Sequence, residues 1–146
     1  CSARQSPHRR VGAHAGGIMR ITGLYVALAA LLVVVLSIRV VLRRISARIS
    51  LGDGDDKELK KRIRAQANCI EYLPLALLLL LMLELNQTQP MLLHACGIIL
   101  IAARVVHGFG LSRTGGISPE RLVGTAVTWL LMAAMALLLI WQFMLR

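Results

Sequence analysis

The strongest constraint on the fold is residues 122–145, a stretch of 24 residues without a charged side chain. A helix needs about 20 apolar residues, each rising about 1.5 Å, to cross the hydrocarbon core of a bilayer. Three further apolar stretches precede it, within residues 21–42, 64–86 and 91–109. Backbone polar groups in lipid must be satisfied within the spanning segment, which favours helices. We therefore predict an all-α integral membrane protein, a bundle of four transmembrane helices whose last span covers about residues 121–144.

Composition supports the same class. The chain has 146 residues, a mean hydropathy of +0.69 and 57% apolar residues, which is too apolar for a soluble domain of this length. We expect residues 19–146 to form one membrane domain. Residues 1–18 are polar, basic and glycine-rich and precede Met19, the expected natural start, so we predict a disordered or artefactual extension there.

The net charge of +10 is concentrated in the first loop, which carries eight basic residues between Arg43 and Arg64. The third loop carries Arg113 and Arg121, and the second loop carries no basic residue. The positive-inside rule places loops one and three in the cytoplasm and both termini outside. This rule also accounts for the charge, so we expect membrane lipids and no nucleic acid as partners.

We predict no metal site. The acidic turn at residues 51–56 lacks the full spacing of a calcium loop, and Asp55 or Asp56 serves more simply as the N-cap of the second helix. The cysteines show no metal spacing, and Cys69 and Cys96 lie in apolar helical contexts that favour inert buried thiols.

Polar residues cluster at one membrane face. Arg64, Asn68 and Glu71 follow at i, i+4 and i+7, so they share one face of the second helix just before Pro74, which we expect to kink it. The same membrane face receives Arg39, Arg43, Arg104, His107 and Arg121 from the other helices. A cationic cluster with one central carboxylate suits a small ligand that bears carboxylates and an ammonium group.

The segment R-A-Q-A-N-C-I-E-Y-L-P resembles the second-helix signature of the membrane-associated proteins in eicosanoid and glutathione metabolism (MAPEG). The similarity extends to L-G-D-G before the motif and to A-R-V-V-H-G-F-G-L-S-R at the end of the third helix. It covers roughly residues 19–143. The loop rich in glycine and aspartate, together with His107, is more similar to the bacterial branch, which implies a bacterial inner membrane.

This resemblance implies a homotrimer that binds glutathione between subunits near the cytoplasmic face. The implied activity is a glutathione-dependent transferase or peroxidase that acts on hydrophobic electrophiles or lipid hydroperoxides, with glutathione as co-substrate. Arg121 is the match for the arginine that stabilises the thiolate, and Arg113 is the competing choice. The glutathione-binding candidates are Arg64, Gln66, Asn68, Glu71, Tyr72, Arg39 and His107.

The sequence departs from the leukotriene-C synthase pattern late in the third helix, where His107 and Leu111 replace two tyrosines. Three other interpretations remain open. Arg64, Asn68 and Glu71 could form an interhelical network that only fixes the assembly, as polar residues in membrane bundles do. The chain could be a family member without catalytic activity. It could also be a small proton-coupled exporter built around Glu71, although such exporters usually carry a glutamate in the first helix.

Overall fold

The computed structural model describes residues 20–113 and 119–145, which form four helices. These are α1 (Arg20–Ala47), α2 (Lys57–Leu85), α3 (Pro90–Arg113) and α4 (Pro119–Met144). Each contains a segment long and apolar enough to cross a membrane, and the described part of the chain contains no strand. The predicted all-α membrane fold is therefore confirmed. The predicted extension, residues 1–18, lies outside the described residues.

The helices run alternately up and down. The end of α1 meets the start of α2 where Arg43 bonds Asp56, and the end of α3 meets the start of α4 where Arg104 bonds Gly124. Each helix packs against its neighbour in sequence, and α2 also contacts α4. The basic first loop and the junction of α3 with α4 therefore lie at the same end of the bundle.

One stripe of α2 forms the centre of the core. Ala65, Cys69, Ala76, Leu80 and Leu83 are almost completely buried, and their spacing of three, four or seven residues places them on a single helical face. Cys69 and Cys96 are both free and buried, as predicted. Because this stripe faces inward, the residues on the opposite side of α2 point away from the bundle.

Asp56 caps α2 and ties it to α1. Its carboxylate accepts a hydrogen bond from the backbone N–H of Leu59 at 2.7 Å, which confirms one of the two predicted N-caps. The same carboxylate accepts two bonds from the guanidinium of Arg43, at 2.6 and 3.3 Å. This bidentate contact holds the C-terminal end of α1 against the N-terminal end of α2.

Acid is expected to loosen this junction. The hydrogen bond from Arg43 and the bond from the Leu59 N–H hold the pKa of Asp56 below its usual value of 3.8. A carboxylate with a lowered pKa stabilises the fold above its unfolded-state pKa, and this contribution is lost as pH falls through the folded-state pKa. Thermal melting in detergent should therefore show a lower midpoint on acidification below about pH 4. Asp56→Asn should lower the melting midpoint at neutral pH. In this variant the further fall of the midpoint below pH 4 should be smaller than in the unmodified protein. An equal fall in both proteins would contradict this role of Asp56.

Polar contacts also join the helices at the other end of the bundle. The Glu84 carboxylate accepts hydrogen bonds from the backbone N–H groups of Ile21 and Thr22, at 3.0 and 2.8 Å. It thereby caps the first turn of α1, whose N–H groups have no partner within the helix. No role for Glu84 could be predicted from the sequence. At this end the Tyr25 hydroxyl also bonds the ring and the backbone carbonyl of His94 on α3.

Candidate functional site

A cavity of about 390 Å³ lies between α2, α3 and α4, at the same end of the bundle as the basic loop. This volume falls within the range of about 300–1,000 Å³ that is typical of small-molecule sites. Polar and apolar side chains contribute to its wall from all three helices. The lining residues are Asn68, Tyr72, His107, Arg121, Leu122, Thr125, Ala126 and Trp129.

Arg104 lies behind the cavity wall and joins the three helices. Its side chain is 0% exposed. One amino group donates to Asn68 Oδ1 on α2 at 2.8 Å, and the other donates to the Gly124 carbonyl at 2.9 Å and to Thr128 Oγ1 at 2.6 Å on α4. Its guanidinium carbon also lies 5.5 Å from the centre of the Tyr72 ring, within the range of a cation–π interaction.

Gly124 allows α3 and α4 to approach this closely. A Cβ atom at position 124 would lie 2.8 Å from the Ala103 carbonyl oxygen and 2.8 Å from His107 Cβ. Both contacts are closer than van der Waals distance, and one of them is to backbone that cannot rotate away. Glycine at this position therefore sets the spacing at which Arg104 can reach the carbonyl of α4.

The cavity has a cationic part and an apolar part. Arg121 and His107 approach it from the start of α4 and the end of α3, whereas Trp129 lies two turns further along α4 on the same face as Arg121. The rings of Tyr72 and Trp129 lie 6.4 Å apart and are tilted by 52°. The small side chain of Ala126 leaves space between these two parts.

Asn68, Tyr72, His107 and Arg121 are the predicted site residues that the fold brings together, since all four line the cavity. His107 is almost completely buried, and its Nδ1 atom has no hydrogen-bond partner in the described part of the chain. An orphaned buried nitrogen of this kind is costly unless a ligand or a water molecule satisfies it.

Arg64 and Glu71 lie on the exposed face of α2. Among the described residues, no ion pair or hydrogen bond involves either side chain. Arg39 on α1 and Gln66 on α2 lie where these two helices face each other. Gln66 donates to Ser37 Oγ at 2.7 Å, and Arg39 borders a small recess between α1 and α2. Within one protomer, these four residues therefore do not line the cavity.

Arg104 brings a buried positive charge to the back of the site. No carboxylate of a described residue lies within ion-pair distance of Arg104. Arg121 places a guanidinium in the cavity wall itself. A buried cation without a protein counter-ion is costly, so this environment favours an anion.

Residues 22–141 match the family model described as "MAPEG family". The chain belongs to the MAPEG family. Inner membrane protein YecN of Escherichia coli K12 is 36% identical over 121 residues, which cover 83% of this chain and 91% of that protein. The protein of the same name from Escherichia coli O6:H1 matches equally well. Membership in a MAPEG family and similarity to an inner membrane protein agree with the four apolar helices and with an inner-membrane location.

The role of Arg104 in this MAPEG site was not predicted from the sequence, although the residue was noted at the end of the third helix. The available signal was its position, because it is the only Lys, Arg, Asp or Glu between Pro90 and Phe109. Ionisable residues within membrane spans usually face the bundle interior and pair there. The contact partners on α2 and α4 could be identified only from the fold. The Arg113 and Leu111 side chains lie outside the described residues.

Proposed function

We propose that this MAPEG protein is a membrane-bound glutathione-dependent transferase or peroxidase that acts on hydrophobic electrophiles or lipid hydroperoxides. The observation that carries the proposal is the cavity itself. Its cationic wall suits the carboxylates and thiolate of glutathione, and its Tyr72–Trp129 wall suits an apolar second substrate. Family membership supports the glutathione-related class.

Arg121 stabilises the thiolate in this proposal. A free thiol has a pKa of about 8.5, so only a small fraction is ionised at neutral pH. A nearby guanidinium favours the anion, and each pKa unit corresponds to about 1.4 kcal/mol. The thiol proton goes to solvent, and the sulfur attacks the electrophile. A sulfur–carbon bond forms as the bond to the leaving group breaks.

In the peroxidase variant, the thiolate attacks the terminal oxygen of a hydroperoxide and the O–O bond breaks. The lipid alkoxide leaves and takes a proton from solvent to become the alcohol. A second glutathione then displaces the sulfenic oxygen as water, so two thiols are oxidised to one disulfide. Neither variant requires a nucleophile from the protein.

We propose that the working unit is a homotrimer in which a neighbouring protomer completes the site. Arg64 and Glu71 support this arrangement, because an uncovered carboxylate and guanidinium near the apolar part of a membrane helix are costly. A neighbour packed on this face of α2 would cover both residues and bring them to the edge of the cavity. Arg39 and Gln66 would contribute from the α1 side of an adjacent protomer. In this proposal, loops one and three face the cytoplasm, where glutathione is available.

No observation favours the exporter. Among the described residues, Glu84 is the buried carboxylate of the bundle, and both of its oxygens bond the start of α1. Glu71 is exposed on the protomer rather than enclosed between helices. A proton-coupled exporter requires a carboxylate that can exchange its proton for substrate inside the bundle.

Glutathione binding tests the proposal. Isothermal titration of the protein in lipid nanodiscs should detect binding, and Arg64→Ala and Glu71→Gln should each weaken it by about 10-fold or more, the effect of removing one charged hydrogen bond. Arg48→Ala is the matched control, because Arg48 is an exposed arginine after the end of α1. It should leave the affinity unchanged. Absence of glutathione binding to the unmodified protein would exclude the function.

A further inference from the structure

The bond between Arg104 and Asn68 constrains the chemistry of the cavity. Arg104 Nη1 donates to Asn68 Oδ1 at 2.8 Å. A guanidinium carries only donors, so the asparagine amide can meet it only through its oxygen. The orientation of this amide is therefore dictated by its partner, whereas the two ends of an asparagine amide are ordinarily hard to distinguish.

The consequence is that the other end of the amide is free for a ligand. Asn68 is half-buried and lines the cavity, and its oxygen is already engaged by Arg104. The amide nitrogen, with two N–H groups, is left as the polar atom that can meet a ligand. A donor of this kind requires an acceptor, and an analogue that lacks the acceptor leaves a buried N–H unsatisfied.

Arg104 is held rigidly enough to impose this orientation. Its second amino group is bonded to both Gly124 and Thr128, and the side chain has no exposed surface. The Thr128 hydroxyl in turn donates to the Gly124 carbonyl at 2.8 Å, which fixes the hydroxyl as the acceptor for Arg104. The contacts on α4 thus fix the orientation of the guanidinium plane, and with it the direction of the bond to Asn68 on α2.

We propose that Arg104 is a positioning residue that holds the Asn68 amide as a hydrogen-bond donor to an anionic group of the ligand. This inference rests on the proposed function for the identity of the ligand as glutathione. The preference for a charged acceptor follows from the site itself, where Arg121 adds a donor and Arg104 adds an unbalanced buried charge. A carboxylate meets both requirements, and the corresponding carboxamide meets them poorly.

A double-mutant cycle on glutathione affinity separates positioning from general structural support. Trp129 lines the cavity and reports binding by fluorescence in a Trp141→Phe background, since Trp141 is exposed further along α4. We expect Asn68→Ala and Arg104→Met each to weaken binding by about 10-fold. The glutathione affinity of the double variant should be within about twofold of that of the weaker-binding single variant, because Arg104 acts through Asn68. Losses that multiply would overturn the inference.

Discrimination between acid and amide is the second measurement, and a purely structural role would not change it. The two monoamides of glutathione, each with one carboxylate converted to a carboxamide, are compared with glutathione. The unmodified protein should reject one of them, Arg104→Met should lose that selectivity, and Arg104→Lys should retain part of it because lysine also only donates. Gln142→Leu is the matched control, because it removes a hydrogen bond between α4 and Asn86, the residue after α2, at the far end of the bundle.

The two proposals fail in different ways. If the unmodified protein does not bind glutathione, the proposed function is wrong, and hexanoate and hexanamide replace the tripeptides in the fluorescence assay. A preference for hexanoate that Arg104→Met removes and Arg104→Lys retains would still support the positioning role; an equal preference in all three proteins would overturn it.

If Arg104→Met does not fold, Asn68→Asp decides, because Arg104 can pair with the new carboxylate. Its second oxygen should repel hexanoate, and an unchanged preference would contradict the inference.

Discussion

Replacement of Arg121 by leucine is expected to lower kcat/KM for glutathione conjugation by about 100- to 1,000-fold, the usual effect of removing one preorganised group that stabilises developing or full negative charge. Arg121 lines the cavity at the start of α4, close to the buried His107. In the proposed mechanism, loss of this charge should make the thiol of bound glutathione ionise less readily. The rising limb of the pH profile of kcat, which reports ionisation in the enzyme–substrate complex, should therefore move to higher pH by about one unit.

The direction of this pH shift distinguishes thiolate stabilisation from simple loss of binding. A variant that only bound glutathione more weakly would raise KM and leave the limb of kcat where it was. Arg121→Lys should recover much of the rate, because the ammonium keeps the charge but lacks the planar fork of donors. Conjugation of 1-chloro-2,4-dinitrobenzene in nanodiscs provides the assay. An Arg121→Leu profile with unchanged kcat and an unmoved limb would remove Arg121 from the mechanism.

Gly124→Val is expected to give the largest loss of stability, about 3 kcal/mol or more, because the added side chain overfills a tight helix contact. The first added atom already lies 2.8 Å from the Ala103 carbonyl oxygen, so α3 and α4 must separate. Separation would also pull Arg104 away from its carbonyl partner on α4. Glutathione affinity should therefore fall together with stability, although position 124 does not line the cavity.

Gly108→Ala is the matched control for this prediction. Gly108 lies on α3 near the same helix pair, but among the described residues a Cβ atom there would meet only Leu36 Cδ2, at an ordinary 3.9 Å. Alanine is favoured over glycine within a helix by up to about 1 kcal/mol, so this variant should be neutral or slightly more stable. Chemical unfolding in mixed micelles measures both variants. Equal stability of Gly124→Val and the unmodified protein would show that the close approach of α3 and α4 is not required.

Much of the fold could be predicted because the relevant signals are local. Apolar runs long enough to cross a bilayer define the four helices, and the turn chemistry around Asp56 defines where α2 begins. The predicted span of residues 21–42 ends five residues before α1 does, because its last turns continue beyond the apolar run and are held by Arg43 and Asp56. Hydropathy marks the membrane-embedded part of a helix and not its end.

The candidate site could be predicted only in part, because helical spacing groups residues on a face without stating what that face meets. Arg64, Asn68 and Glu71 share one side of α2 by their spacing. In the fold, Asn68 turns far enough inward to reach Arg104, whereas Arg64 and Glu71 remain outside on the protomer. Gln66 lies two residues from Asn68 and consequently faces α1 and Ser37.

The sequence by itself determined that this protein lies in a membrane, how many helices it has and which end of the bundle carries positive charge. These properties can be predicted because hydropathy and charge are visible in short stretches of chain. Only the tertiary structure decided that Arg104 is the residue around which the cavity wall is assembled and that Glu84 caps α1. Both roles depend on the rotation and separation of helices that are distant in sequence. In the case of Arg104, these are set by the absence of a side chain at Gly124.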